Sequence, residues 1–251
     1  MNSKKACERI KKIEKKYYKK FYINEINFWP LLRLHLWKYL TSSVIKNNQP
    51  NFLKIFKNII KKIILNFKIY GFSKDNILSK NIFFSKKEVL STLKIENKNY
   101  DRIIDPIFQA SKKKIKLYYD IDLKFDLNLK FKTSRVGVYF NMLEPQKSLD
   151  DALKTKIKNL CKENKINPSI FTKDFQNEIN EFFNWYSFGN KLFNKYKFLK
   201  KLYVYPWYSS SMMGLISASK KFNVLSYDIQ HGIQGSHQAM YTHWMRYPDE
   251  G

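Results

Sequence analysis

Residues 201–232, KLYVYPWYSSSMMGLISASKKFNVLSYDIQHG, constrain the fold more than any other stretch. Leu202–Tyr205 reads as a short strand that Pro206 stops. Serines 209–211 are good N-caps for the helix that follows. A second strand begins near Val224 and ends at Gly232. Strand, helix and strand in about 30 residues make a βαβ unit, whose parallel strands are joined by a right-handed crossover. Both strand ends then point the same way. The loops Trp207–Ser211 and Gln230–Gly235 lie side by side at the carboxyl edge of a parallel sheet, where open α/β sheets bind ligands.

Upstream segments fit the same plan. Ile82–Ser85, KIKLYYDI (114–121) and SRVGVYFNM (134–142) are strand candidates. Pro106 argues against a helix running through Asp105. Residues 149–165 read as a helix with Asp150 and Asp151 favourably placed in its first turn. A second helix covers 174–195 through Phe175, Ile179, Phe182 and Phe183. The expected fold is therefore α/β: a Rossmann-like domain with a parallel sheet over residues 72–251, preceded by a basic helical segment, 1–71.

That N-terminal segment carries three helical patterns. Residues 4–22 repeat Ile10, Ile13, Tyr17 and Phe21 at three- and four-residue spacing. In FWPLLRLHLWKYL, Pro30 suits a first helical turn, and Leu31, Leu34, Trp37 and Leu40 share a face. Residues 51–69 repeat the pattern. All three read as basic amphipathic helices, which fit either an anionic membrane surface or an ordinary solvated helix face.

Charge supports a docking role there. The chain has 47 Lys and Arg against 21 Asp and Glu, a net +26. Residues 1–70 hold 17 basic against 3 acidic side chains, whereas residues 201–251 hold 4 against 3. An excess of this size favours anionic partners, although abundant Lys, Asn and Ile also reflect compositional drift. No zinc-finger or RNA-recognition signature supports a nucleic-acid partner. Cys7 and Cys161 are isolated, as expected of a reducing cytoplasm. Met1 leads into charged residues and not into a signal-peptide core, and no stretch approaches a membrane span.

The QHG segment carries the candidate chemistry. His231 at a strand end can act as a general base or donate to phosphate or sugar oxygens. Gln230 both donates and accepts, which suits sugar hydroxyls. Gly232 permits positive φ or close approach of a ligand to the backbone. His237 and His243 lie nearby, but their spacing matches no zinc pattern, so no metal is expected. Trp207 can stack on a sugar or a base, or serve as core. The absence of GxxxxGK[ST], GxGxxG and GxSxG argues against P-loop, dinucleotide-binding and serine-hydrolase chemistry.

Residues 203–244 resemble the middle of bacterial capsule and lipopolysaccharide glycosyltransferases of the GT-B fold, with an aromatic-rich strand, a helix of small residues and a QHG segment. FWPLLRLHLWKYL is similar to that family's Trp-x-x-x-Arg helix, and YDRIIDPI to its Tyr-Asp-Arg-x-x-Asp-Pro segment. The resemblance implies metal-independent sugar transfer from a nucleotide-sugar donor to a glycan or lipid-linked acceptor, without a cofactor. It implies His231 as a contact near the reaction centre. It places Gln230, Gly232, Trp207, Ser209, Ser210, Arg102, Asp105 and His237 as substrate contacts. GT-B enzymes pair two Rossmann-like domains, the first mainly binding acceptor. This chain reads as that N-terminal half with the donor domain absent, and is expected to be inactive alone, cytoplasmic and peripheral at the inner membrane. The alternative is a non-enzymatic basic module binding anionic glycan, membrane or nucleic acid.

Overall fold

A computed structural model of the chain describes residues 1–18, 21–23, 26–41, 80–86, 94–112, 114–119, 134–136 and 149–229. The segment 51–69 and the QHG residues lie outside these.

Among the described residues, five strands form one sheet: β3 (Asn81–Lys86), β6 (Lys114–Tyr119), β7 (Ser134–Val136), β8 (Lys201–Val204) and β9 (Leu225–Asp228). Their order is β7-β6-β3-β8-β9, and every neighbouring pair is parallel. Counted along the chain within this sheet, the order is 3-2-1-4-5. The protein is thus mixed α/β with a parallel sheet. Strand candidates at 82–85, 114–121, 134–142, 202–205 and 224–232 each overlap a strand of this sheet, although Tyr205, Val224 and Ile229 lie just outside their strands. Two short antiparallel pairs, β1 (Tyr22–Ile23) with β2 (Ile26–Asn27) and β4 (Lys94–Ile95) with β5 (Lys98–Asn99), were not expected.

Side-chain alternation assigns the two faces of the sheet. Ile82, Phe84, Leu202 and Val204 are fully buried on one face, against helices α5 (Pro168–Lys195) and α6 (Ser210–Lys221). Phe83 and Tyr205 point to the other, under α3 (Ile104–Ala110). Phe83 stacks on Tyr203 at 4.4 Å and Tyr203 on Tyr227 at 5.0 Å, an aromatic row across three strands.

A second core lies among helices. α1 (Ser3–Tyr17), α2 (Trp29–Thr41) and α4 (Asp151–Glu163) pack with the first half of α5. The caps follow the sequence. Asn2 caps α1, Asp150 accepts from Leu153 N at 2.6 Å, and Asn167 precedes Pro168 at the start of α5. Asp150 is therefore a cap and not a first-turn residue. The N-terminal helices share this core with the helices beyond residue 149. Cys7 and Cys161 are both buried in it as free thiols.

Three expectations change. The first helix stops at Tyr17, not at residue 22. Phe21 is still fully buried, but Phe28 N donates to its carbonyl and the β1–β2 pair turns the chain back. α2 is not amphipathic. Leu32, Arg33, His35 and Leu36 are buried along with Leu31, Leu34 and Leu40, because the helix is enclosed by its neighbours. Pro106 does not exclude a helix, since it falls in the first turn of α3, where a missing N–H leaves no bond unmade.

Trp29 and Arg33, four residues apart, share one face of α2 and meet the same partner. Trp29 Nε1 donates to Glu14 Oε1 at 2.9 Å, and Arg33 Nε lies 3.5 Å from Glu14 Oε2. All three side chains are buried.

The small residues of α6 serve an approach of backbones. A Cβ on Gly214 would overlap the Phe182 carbonyl oxygen, and one on Gly189 would lie 2.6 Å from Ala218 Cβ. Gly214→Ala is therefore expected to destabilise the protein by about 1–3 kcal/mol, the range for overpacking. Urea denaturation checks this, and Gly189→Ala should lose stability as well, because the Ala218 Cβ it meets is fixed to its own backbone. An unchanged midpoint for Gly214→Ala would contradict the close crossing.

Candidate functional site

The carboxyl end of β8 gathers residues from four distant parts of the chain. The strand runs out through Tyr205 and Pro206 into the loop that opens α6. Two hydrogen bonds tie this loop to the end of β9: Ile229 N donates to the Val204 carbonyl at 2.9 Å, and Trp207 N donates to Asp228 Oδ1 at 3.1 Å. Ile229 therefore lies directly beside the loop. Gln230, His231, Gly232 and His237 themselves lie outside the described residues.

Each loop side chain has a defined place. Ser209 is the N-cap of α6 and accepts from Met212 N, with its hydroxyl 3.1 Å from that of Ser211. Ser210 is buried and donates to Glu181 Oε2 at 2.7 Å. Trp207 and Tyr208 are half-buried, packed edge to face against each other and against the helical core. Burial raises the Tyr208 phenol, and the Asp228 charge raises it further. Of the three loop residues singled out from sequence, Ser210 is buried, and Trp207 and Ser209 are half-buried. The two serines are engaged within the protein.

The Asp-Arg-x-x-Asp-Pro segment arrives at the same strand end. Tyr205 OH donates to Asp101 Oδ2 at 2.6 Å. Asp101 Oδ1 accepts from the backbone N–H groups of Ile103 and Ile104, while Asp105 Oδ2 accepts from Asp101 N. This reciprocal pairing of side chains and backbone resembles a capping box and starts α3. Asp105 is thus buried as a cap partner, and Arg102 is exposed on the turn before the helix. The sequence reading missed Asp101 and Tyr205, which make the junction. The spacing of two aspartates four residues apart around a helix start was the available signal.

A third group faces the loop from the helical layer. Lys38 Nζ lies 3.1 Å from Glu178 Oε1. Burial works to raise the Glu178 carboxyl, but the Lys38 ammonium above all works against it, and the net shift is downward. Glu178 and Glu181 are half-buried and stand one turn apart on α5, which places two carboxylates beside the start of α6. Neither was anticipated, because the aromatic periodicity of α5 dominates its pattern. His35 sits between Phe171 and Phe175, with ring centroids 4.6 and 5.7 Å away. Its Nε2 is buried with no hydrogen-bond partner among the described residues, and burial pulls its pKa down despite Glu178 and Asp174.

Chemically, the strand end offers a half-open indole, a phenol, the exposed Asp228 carboxylate and the Glu178–Glu181 pair. Aromatic faces stack on apolar faces of sugars, and carboxylates accept from hydroxyls. Among the described residues, no three His, Cys, Asp or Glu side chains are grouped to hold a metal ion. No described helix is long and apolar enough to cross a membrane. Compared with known proteins, the chain matches no family model, no curated protein and no solved structure.

Two outcomes test this geometry. Tyr205→Phe removes one donor from a buried carboxylate and is expected to cost about 1–3 kcal/mol, read from chemical denaturation. A loss near zero would mean that the Asp101 contact does not anchor the strand end. His35 has a folded pKa below its unfolded value, so the fold favours the neutral ring. The stability gained this way is full above about pH 6.5 and is lost as pH falls through the lowered folded pKa. His35→Leu should flatten the stability profile between neutral and mildly acidic pH. Glu178, whose pKa is also lowered, acts only further down, in the carboxylate range. A slope unchanged by His35→Leu would remove His35 as its source.

Proposed function

We propose that the α/β region is a Rossmann-like, acceptor-side domain of a glycosyltransferase that moves a sugar from a nucleotide-sugar to a bacterial surface glycan. The observation that carries this reading is the junction at the sheet edge. Trp207 N on Asp228 and Ile229 N on Val204 hold the aromatic loop beside Ile229, the residue that precedes Gln230-His231-Gly232 in the sequence. The strand order 3-2-1-4-5 supports it, because doubly wound nucleotide-binding sheets use the same order and bind ligands at their carboxyl edge. The loop lies on β8, next to β3, where that order reverses. In this reading His231 is a contact near the reaction centre, Gln230 and Gly232 flank it, and Trp207 provides the stacking face.

An acceptor domain must hold glycan without its donor. The 251-residue chain is therefore expected to bind surface-polysaccharide oligosaccharides on a glycan array. Trp207→Ala and His231→Ala should each weaken binding at least about tenfold, the scale of a stacking contact or a charge-assisted hydrogen bond. Binding that ignores both substitutions, but collapses on charge reversal within residues 4–20 and in salt, would favour the basic binding module instead.

A further inference from the structure

The described helices divide the charge unevenly. α1 carries six lysines and one arginine against two glutamates, and one of those glutamates, Glu14, is buried against Arg33. α4 carries four lysines against Asp151 and Glu163, with Lys165 just beyond its end. α5 is about twice as long, yet its three lysines are matched by three acidic residues. Compositional drift alone would have left all three helices equally basic.

The two basic helices adjoin. The Arg9 guanidinium reaches the Asn164 carbonyl, and Lys16 and Tyr17 both bond to Glu163. Lys11, Lys12 and Lys15 of α1, and Lys158, Lys162 and Lys165 at the end of α4, are all exposed. The apolar stripe of α1 faces the opposite way. Ala6, Cys7, Ile10, Ile13 and Tyr17 are at most 5% exposed inside the helical core.

We propose that this α1–α4 face docks the protein on an anionic lipid bilayer by charge alone, without apolar insertion. The inference stands on charge and burial, and holds whether or not the sugar-transfer reading does. A surface-seeking amphipathic helix spends its apolar face in the bilayer. Here that face is spent in the core, so only lysine ammoniums remain to meet headgroups. A bilayer surface attracts such point charges without demanding a geometry. Nucleic acid is the poorer fit. The one arginine of these helices is engaged with Asn164, so no planar fork is presented to phosphates. Tyr17 is buried and Tyr18 half-buried, which leaves no stacking platform for bases on α1.

The test is sedimentation of the 251-residue chain with phosphatidylglycerol–phosphatidylcholine vesicles. Binding is expected at low salt, absent on phosphatidylcholine alone, and lost at about 1 M salt, where the Debye length is about 3 Å. The triple variant Lys11→Glu, Lys12→Glu, Lys15→Glu should bind on the order of a hundredfold more weakly, at roughly fivefold per lysine. Reversing the exposed lysines 173, 191 and 221 in the same way should have much less effect. If the reversal variant fails to fold, Lys11→Gln, Lys12→Gln, Lys15→Gln serves instead and should show a smaller loss in the same direction, because each charge is removed and not reversed. Binding to neutral vesicles, or binding that survives salt, would overturn the proposal in favour of insertion. Equal losses from both triples would reduce it to overall charge. Tighter retention of RNA than of vesicles at matched phosphate would assign the face to nucleic acid.

Discussion

The rest of the structure depends on how closely α5 and α6 cross. With the Phe182 carbonyl where a Gly214 side chain would begin, the two helix backbones touch without intervening side chains. That contact fixes where α6 starts, and so where the loop after β8 must close. It also sets the depth at which Met212, Leu215 and Ala218 reach the sheet. A helix of larger residues would ride higher and lift Ser209–Ser211 away from the two glutamates on α5.

α5 joins the two layers. Its first half, through Phe171, Phe175 and Ile179, closes the helical core; its second half, through Trp185, Leu192 and Phe193, closes the core under the sheet. The helical core is unusual in holding a charged pair. Burying Glu14 and Arg33 is costly, and hydrophobic residues in their place can be as stable. What the pair adds is direction: Glu14 accepts from Trp29 and faces Arg33, so α1 and α2 meet in one register. The Trp-x-x-x-Arg spacing is accounted for by this contact inside the protein.

Regular elements were legible where periodicity and punctuation agreed. The βαβ unit near the C-terminus combines alternating strands, serine caps and Pro206, and its two strands pair in parallel as expected, the second closing at Asp228. α4 follows from its acidic start and α5 from its apolar spacing, though α5 begins at Pro168 and not at residue 174, because the Asn167–Pro168 cap opens it earlier. The failures had a common cause. The leucine spacing of α2 predicts one apolar face, but its surroundings bury the polar positions too. Pro106 was read as a breaker without allowing for a helix that begins just before it. At the site, backbone-to-side-chain bonds escaped the pattern: nothing in the spacing of Tyr205 and Asp101, 104 residues apart, marks them as partners. Trp207 could be picked out because an aromatic after a strand end is conspicuous; Glu178 and Glu181 could not, because their helix looked purely structural.

The two cysteines have a consequence for following this protein in solution. Burial lifts the Cys7 thiol above its ordinary pKa despite Arg33 nearby, and lifts Cys161 to about 12. Both are therefore silent towards thiol reagents while the helical core is closed, since the thiolate is the reacting form. One sits on α1 and the other on α4, the two helices that carry the basic face. Their labelling rates are a native clock for the opening of that layer, recorded without adding a probe.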